Sequence, residues 1–113
     1  MFYNRQEHYR YAFGHPQELL IRSNEPSGTS LHYGLLLDVS PRGGKFFLEK
    51  ELEKIKEEID VEFTLNHEKL HLKAILLWKE STTEGWMYGM EFHKDPVKEM
   101  LINNELKAYL EFE

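Results

Sequence analysis

Three successive segments of the chain alternate apolar and polar residues with a period of two, and this pattern constrains the fold most strongly. The apolar positions are Ile59, Val61, Phe63 and Leu65 in the first segment, Leu70, Leu72, Ala74, Leu76 and Trp78 in the second, and Trp86, Tyr88, Met90 and Phe92 in the third. Successive side chains of a β-strand point to opposite faces of a sheet, so each segment is typical of a strand with one buried face. Because only short turns connect them, the segments predict an antiparallel sheet.

The part of the chain before this pattern predicts three further strands. Residues 17–23 (QELLIRS) predict the first of them, and residues 24–30 gather Asn, Pro, Gly and Ser in the manner of a loop. Residues 31–39 (LHYGLLLDV) form the continuous apolar run of a strand buried on both faces. The turn SPRGG then leads to a short strand at KFFLE, and residues 50–58 predict one or two helical turns.

The C-terminal segment changes from strand periodicity to helical spacing. Asp95 suits an N-cap, Pro96 suits the first helical position, and apolar residues recur at helical intervals as far as Leu110. Six short strands and one helix predict an all-β fold, a six-stranded antiparallel β-barrel with a C-terminal α-helix over about residues 95–110. We expect residues 1–14 to form an N-terminal arm and residues 15–113 to form the barrel with its helix.

Composition and charge argue against several classes of function. The 113 residues include 20 acidic and 14 basic side chains, and the net charge of −6 disfavours broad binding to DNA, which needs a basic face. Cysteine is absent, so disulfides and thiolate metal sites are unavailable. No stretch has the pattern of a signal peptide or the roughly 18 apolar residues of a membrane span. We therefore expect a cytoplasmic single-domain protein that neither binds DNA nor inserts into a membrane.

The segment His67–His71 (HEKLH) matches the HExxH signature of zinc proteases. That signature works on a helix, where one face presents two histidine ligands and a glutamate base. Here period-two alternation runs into the segment and out of it, which predicts a hairpin tip. Residues four apart on an extended strand are separated by about 13 Å, too far to share one zinc ion. We expect no metal site and no protease, and no nucleophile–base pair elsewhere predicts another enzyme.

The turn Asp38–Gly44 (DVSPRGG) carries a D-x-S-x-x-G pattern directly after an apolar strand. Upstream, NRQEHYRY contributes arginines at positions 5 and 10, and downstream YGMEFH closes the last predicted strand before the helix. This order resembles the PilZ domain, a bacterial module that in many members binds cyclic di-GMP. The resemblance covers nearly the whole chain and implies a six-stranded antiparallel β-barrel with a C-terminal helix, in agreement with the strand count above.

The resemblance also implies a cyclic di-GMP site. Its residues would be Arg5, Arg10, Asp38, Ser40 and Gly43, with Gln6 and Arg42 as candidates for additional contacts. Arginine pairs with guanine O6 and N7 or with phosphate oxygens, and a carboxylate such as that of Asp38 accepts the guanine N1 and N2 hydrogens. Ser40 would add a hydroxyl contact, and Gly43 would let the backbone approach the ligand. No cofactor other than this ligand is implied.

The arginine motif departs from the family pattern at Gln6. The family usually has R-x-x-x-R, whereas four residues separate Arg5 from Arg10, and Gln6 stands where the first motif arginine would align. An amide hydrogen-bonds a guanine edge but brings no positive charge to a dianionic ligand. Two functions therefore stay open. One is a stand-alone cytosolic cyclic di-GMP receptor, in which the ligand orders the arm against the barrel and signals to a protein partner. The other is a PilZ-like protein-interaction module that does not bind the nucleotide.

Overall fold

The computed structural model describes residues 11–25, 28–52 and 56–111. The elements in this part of the chain are β1 Tyr11–Glu25, β2 Gly28–Ser40, β3 Gly43–Leu48, β4 Glu58–Leu65, β5 Glu68–Ser81, β6 Trp86–Phe92 and α1 Pro96–Glu111. The strands close a barrel in the order β1-β2-β3-β6-β5-β4, and each neighbouring pair is antiparallel. The predicted six-stranded antiparallel β-barrel with a C-terminal helix is confirmed.

The hydrophobic core fills the barrel and extends under α1. The alternating apolar residues predicted for β4 all point inward, and each is at most 3% exposed: Ile59, Val61, Phe63 and Leu65. On the opposite side of the barrel, the rings of Phe46 and Tyr88 stack with centroids 5.0 Å apart. Ile102 and Leu106 bury the inner face of α1 against this core. The period of two in the sequence therefore correctly predicts which face of β4 is buried.

The C-terminal helix begins where the sequence predicts. The Asp95 side chain accepts a hydrogen bond from the backbone N–H of Lys98 at 3.2 Å, which is the N-cap interaction. Near its other end, Tyr109 packs against Tyr11 and Phe13 of β1, with ring centroids 5.0 and 5.7 Å away. The helix therefore covers the end of the barrel at which β1 begins. Within the described residues, no helix is both long and apolar enough to cross a bilayer.

The first hairpin is longer than the sequence predicts. β1 starts at Tyr11, so residues 11–14, which we assigned to the arm, belong to a strand. β1 and β2 remain paired as far as Glu25 and Gly28, so residues 24–25 and 28–30 of the predicted loop belong to strands. Residues 26–27 of that loop lie outside the described residues. Polar composition misled the prediction because the hairpin continues for two residues past Ser23, the last residue of β1 that pairs with β4 in the described structure, and polar side chains are expected on such a projecting end.

The first half of β2 is covered on only one face. Leu31, Tyr33 and Leu35 are 51%, 79% and 41% exposed, so the prediction of a strand buried on both faces is wrong there. These three residues share the outer face of the barrel and remain exposed in the described part of the structure. An uninterrupted apolar run does not distinguish a doubly covered strand from one that carries apolar residues on its outer surface.

Trp78 lies on the outside of the barrel, in contrast to the predicted inward position. The pairing of β5 with β6 shifts register between Leu76 and Trp78, so Leu77 is an extra residue in the ladder. One inserted residue reverses the faces of all following side chains. Trp78 is consequently 37% exposed, whereas Leu76 before the bulge is 1% exposed. The predicted inward position of Trp86 is partly met, because Trp86 is half-buried and packs against the core.

The connection between β3 and β4 is not helical in its described residues. Residues 50–52 and 56–57 have no helical hydrogen bonding and residue 58 already belongs to β4, so the predicted helical turns are wrong for these residues; residues 53–55 lie outside the described part. Contacts with the barrel hold the connection in an open conformation. The Tyr88 hydroxyl accepts the Leu52 N–H at 2.6 Å, and Lys79 donates to the Leu52 carbonyl at 3.2 Å. These contacts satisfy the backbone groups that a helix would otherwise pair.

Candidate functional site

The β2–β3 hairpin carries the D-x-S-x-x-G pattern at its tip. Ser40 and Gly43 form the last strand pair, and Pro41 with Arg42 makes a two-residue turn. The Ser40 hydroxyl oxygen accepts the Arg42 N–H at 3.1 Å. The Arg42 carbonyl accepts the N–H of Phe92 at 2.9 Å, which ties the turn to the end of β6. The turn is thus held at both ends, while the Arg42 side chain points to solvent.

Asp38 is a buried carboxylate on the outer side of this hairpin. It is only 5% exposed, and its Oδ1 accepts the backbone N–H of Lys45 at 3.0 Å. Its Oδ2 lies 3.5 Å from the Lys45 ammonium, whose side chain is 43% exposed. A register shift between Leu36 and Asp38 makes Leu37 an extra residue, so Leu36 faces the core while Asp38 faces outward beside Lys45. The site therefore combines a shielded acceptor with an accessible positive charge.

Two successive glycines let the hairpin pack tightly against its neighbours. A Cβ atom at Gly43 would overlap the Met90 carbonyl oxygen of β6. A Cβ atom at Gly44 would come within 2.5 Å of the Asp38 carbonyl oxygen. Any side chain at either position would push apart strands that hold Asp38 and Ser40. The packing of the barrel thus requires Gly43, and a backbone contact from Gly43 to a ligand stays a prediction.

The beginning of β1 lies next to Asp38. Ala12 pairs with Asp38, and Tyr11 pairs with Val39. Arg10 directly precedes Tyr11 in the sequence. Arg5, Gln6 and Arg10 lie outside the described residues, so their predicted ligand contacts stay predictions. The structure brings together Asp38, Ser40 and Gly43 on one hairpin and places Arg42 in its turn.

Two residues that the sequence analysis did not select stand in one row with Asp38. Lys45 pairs with both Asp38 and Gly89, and Gly89 pairs with Trp78 on the next strand. A Cβ atom at Gly89 would overlap the Trp78 indole, so the ring lies directly over that glycine. The row thus runs across four strands from a carboxylate through an ammonium to an indole.

A sequence signal existed for Lys45 but not for Trp78. With a two-residue turn at Pro41–Arg42, strand pairing places residue 45 opposite residue 38 by simple counting. Trp78 faces outward only because of the bulge at Leu77, and nothing in the alternating pattern marks that bulge.

The HEKLH segment occupies a hairpin tip, as predicted. β4 ends at Leu65, Asn66 and His67 form the turn, and His71 lies in β5 opposite Glu62. The His71 ring on β5 lies 3.9 Å from the carboxylate of Asp60 on the neighbouring strand β4, so the histidine belongs to a sheet and not to a helix. Among the residues described by the structure, no three His, Cys, Asp or Glu side chains cluster closely enough to hold a metal ion. The segment lacks the backbone that the protease signature needs.

Comparisons with known families and solved structures agree with the fold described above. The sequence matches the PilZ domain family over residues 4–112. The fold is similar to the PilZ domain of YcgR from Escherichia coli, solved with c-di-GMP, with a TM-score of 0.71 and 16% identity over 96% of this chain and 92% of that one. It is also similar to the PilZ domain of CeSA from a cellulose-synthesizing bacterium, with a TM-score of 0.61 and 14% identity over 91% and 98% of the two chains.

A longer structure shares the same fold. The Bacillus subtilis inhibitor of motility, MotI/DgrA, superposes with a TM-score of 0.74 and 12% identity, covering 96% of this chain. This chain spans about half of that protein, 53% of its length. No curated protein matches the sequence.

Proposed function

This chain belongs to the PilZ domain family, and on that premise we propose that it is a cytosolic receptor for cyclic di-GMP. PilZ domains are binding and effector modules and not enzymes. The observation that carries the proposal is the buried Asp38 carboxylate, held beside Ser40 on a braced hairpin with a lysine next to it. The similarity to a PilZ domain solved with c-di-GMP supports the same ligand class.

Asp38 has the chemistry needed to recognise a guanine edge. Each carboxylate oxygen offers two acceptor directions, and Oδ1 uses one of them for the Lys45 N–H. In the proposed complex, the carboxylate accepts the paired N1 and N2 hydrogens of guanine. Hydrogen bonds are stronger in a shielded site than in water, and the Asp38 side chain is only 6% exposed. The Lys45 N–H fixes the carboxylate in position before the ligand arrives.

Lys45 supplies the charge that Gln6 lacks. Its ammonium lies 3.5 Å from Asp38 on an exposed side chain, so it reaches the site without rearrangement of the backbone. A lysine ammonium is a compact positive charge that binds phosphate oxygens. We assign it to a phosphate of the dinucleotide, in place of the arginine that the family pattern expects at position 6.

Trp78 provides an aromatic surface at the far end of the row. Its indole covers Gly89 and remains 37% exposed, which leaves part of the ring open for stacking. Stacking of a base on an aromatic side chain contributes about 1–3 kcal/mol. Three strand spacings separate Trp78 from Asp38, or roughly 14 Å. The two residues therefore address different parts of a ligand that carries two bases.

Binding orders the N-terminal arm in the proposed mechanism. Ala12 already pairs with Asp38, so a ligand held by Asp38, Ser40 and Gly43 lies beside the point where the arm joins the barrel. Arg5 and Arg10 then bridge the ligand to the barrel, and the surface presented to a protein partner changes. We expect deuterium uptake by peptides covering residues 1–10 to fall when cyclic di-GMP is added.

Titration calorimetry with cyclic di-GMP tests the proposal. Asp38→Asn keeps an acceptor for the Lys45 N–H but loses the charge, and we expect it to weaken binding tenfold or more. Arg10→Ala should weaken binding by a comparable factor. Lys45→Met should weaken binding and also lower its dependence on salt concentration. Trp78→Ala should weaken binding about tenfold. Lys94→Met, another exposed lysine, is the matched control and should bind like wild type.

A second candidate function has its own supporting observation. Gln6 removes one arginine from the motif, and the Lys45 ammonium already partly neutralises Asp38. Both features suit a PilZ-like interaction module that no longer takes the nucleotide. No heat with folded wild-type protein at high ligand concentration would favour this function and reject the receptor.

A further inference from the structure

A groove of about 830 Å³ runs along the outside of the barrel and is lined by residues of β1, β2, β3, β4 and β5. Its floor consists of four outward-facing side chains: Leu20, Tyr33, Leu35 and Phe47. Tyr33 is 79% exposed and Leu35 is 41% exposed, so much of this floor is open to water. Soluble proteins seldom leave contiguous apolar surface uncovered unless it contacts a partner. We call this feature the outer groove.

The strand register explains why these side chains form one surface. Leu20 pairs with Tyr33, and Leu35 pairs with Phe47, so two adjacent rows of the outer face are apolar. β1 and β4 pair from Ser23–Ile59 to Leu20–Glu62, and their described pairing ends there. The outer groove lies where the two strands part. In the apolar run of β2 that suggested double burial, alternate residues therefore face the core, and Tyr33 and Leu35 between them face this groove.

Carboxylates border the outer groove. Glu18, Glu49 and Glu62 all line it. Glu62 pairs with Lys69 at 3.1 Å, whereas Glu18 and Glu49 have no ion-pair partner among the described residues. Among the residues that the structure describes, Lys69 is the single basic side chain of the lining, so this described border carries a net negative charge. The outer groove therefore combines an apolar floor with acidic edges.

We propose that the outer groove docks a basic amphipathic helix of a protein partner. Apolar side chains of such a helix would cover Tyr33 and Leu35, and its lysine or arginine residues would lie against Glu18 and Glu49. β1 and β3 are two strand spacings apart, about 10 Å, and β4 lies farther away where it parts from β1, so the outer groove is wide enough for a helix of 10–12 Å diameter. Helices with an apolar stripe commonly bind in grooves of this kind.

The charge distribution argues against a second copy of the chain as the occupant. A symmetric dimer through this face would place the same patch of both copies together. The acidic border of one protomer would then face the acidic border of its partner, in a chain whose net charge is −6. Such a contact brings like charges together in partly desolvated surroundings, which is unfavourable.

The outer groove adjoins the hairpin that carries Asp38. Lys45 and Phe47 are two residues apart on the outer face of β3, a separation of about 7 Å. A ligand contacting Lys45 would therefore lie beside an occupied groove. The docking proposal does not require nucleotide binding, and its test is performed without the nucleotide, so the two proposals fail independently.

The test uses a fluorescein-labelled peptide of leucine and lysine with leucines at helical spacing, about 14 residues long, or four turns. Fluorescence anisotropy with the wild-type protein should show saturable binding, weakened tenfold or more by Tyr33→Ser and by Leu35→Ser. Leu77→Ser is the matched control, because Leu77 is 43% exposed on another strand, and it should leave affinity unchanged. Glu49→Lys should weaken binding severalfold, whereas Glu84→Lys, an exposed acid outside the groove, should not.

Three results would overturn the proposal. The first is that a peptide with glutamate in place of lysine binds equally well. The second is that Leu77→Ser and Glu84→Lys weaken binding as much as the groove variants do. The third is that light scattering detects a dimer that Tyr33→Ser disperses, which would make a second copy the occupant. Circular dichroism establishes that each variant is folded, and Tyr33→Ser alters a side chain that is 79% exposed, so it carries the test if Leu35→Ser does not fold.

Discussion

Tyr88 links the barrel core to the connection between β3 and β4. Its ring stacks on Phe46, with centroids 5.0 Å apart. Its hydroxyl accepts the Leu52 N–H at 2.6 Å and donates to the Lys50 carbonyl at 3.3 Å. Burial raises the pKa of Tyr88 above its ordinary value of 10.0, against the smaller lowering effects of the Leu52 N–H and Lys79. One side chain thus packs the core and holds a loop.

Tyr88→Phe isolates the contribution of the hydroxyl group. The substitution keeps the ring but leaves the buried Leu52 N–H without its acceptor, which should lower the free energy of unfolding by about 1–3 kcal/mol. Urea denaturation of both proteins measures the difference. Tyr33→Phe is the control, because Tyr33 is 79% exposed, and it should be neutral. Equal effects from the two substitutions would contradict the assigned role.

The raised pKa of Tyr88 also predicts how stability changes in alkali. Below pH 10.0 the tyrosine is neutral in both states, so the folded protein keeps its full advantage. As the pH rises past 10.0, the unfolded tyrosine ionises before the folded one, and stability is lost. Tyr88→Phe lacks this loss, so the stabilities of the two proteins should converge as the pH increases above 10.0. Parallel curves in urea denaturation over this range would refute the prediction.

His32 is a second residue whose side chain should affect the stability of the protein. It pairs with Ile21, which is fully buried, and its Nε2 atom is buried without a hydrogen-bond partner among the described residues. A buried polar atom without a partner costs about 1–3 kcal/mol. We therefore expect His32→Leu to raise the melting temperature and the free energy of unfolding. His15→Leu, at an exposed position, should change neither, and destabilisation by His32→Leu would show that the imidazole has an essential contact.

At the scale of elements, α1 depends on the cap that the sequence predicts. Asp95 accepts the Lys98 N–H with its side chain and the Glu99 N–H with its carbonyl oxygen. Asp95→Ala removes the side-chain acceptor and should reduce stability by about 1 kcal/mol, as measured by thermal or urea denaturation. Asp95→Asn retains an acceptor and should lose much less. An equal loss in both variants would mean that the charge, and not the cap, matters.

Register shifts decide which faces of the strands reach the outer surface. Leu37 and Leu77 are each an extra residue, a β-bulge, in the pairing with the neighbouring strand. Each bulge reverses which face of the sheet the residues after it point to. The shift at Leu37 lets Leu36 face the core while Asp38 faces outward, and the shift at Leu77 turns Trp78 outward. Counting along a strand cannot locate such a residue, because a bulge is defined by the partner strand as well as by its own sequence.

At the scale of the whole molecule, Asn66 joins the β4–β5 tip to the C-terminal helix. Its side-chain amide donates to the carbonyl oxygen and the carboxylate of Glu105, at 3.1 and 2.9 Å. Its N–H donates to the Tyr109 hydroxyl at 3.3 Å, and its φ of 55° lies in the left-handed region. Asparagine meets both demands, since it tolerates this conformation and carries the donor that α1 needs.

Two substitutions at Asn66 separate these demands. Asn66→Gly keeps the left-handed conformation but loses the hydrogen bonds to Glu105, and should cost about 1 kcal/mol. Asn66→Ala also adds the strain of a left-handed residue, a further cost of about 1–2 kcal/mol. Urea denaturation gives the order wild type, Gly, Ala, and amide exchange in α1 should quicken in both variants. If Gly and Ala were equally destabilising, the backbone conformation would have no energetic role.

The sequence by itself determined the strand count, the inward face of β4, the helix start at Asp95 and the hairpin that carries Asp38, Ser40 and Gly43. Each of these follows from a local cause: a period of two, a capping side chain or a turn. Tertiary structure alone decided that Tyr33 and Leu35 face an uncovered groove, and that Trp78 lies outside in one row with Lys45 and Asp38. Those outcomes depend on where neighbouring strands part or shift register, which involves residues far apart in the chain.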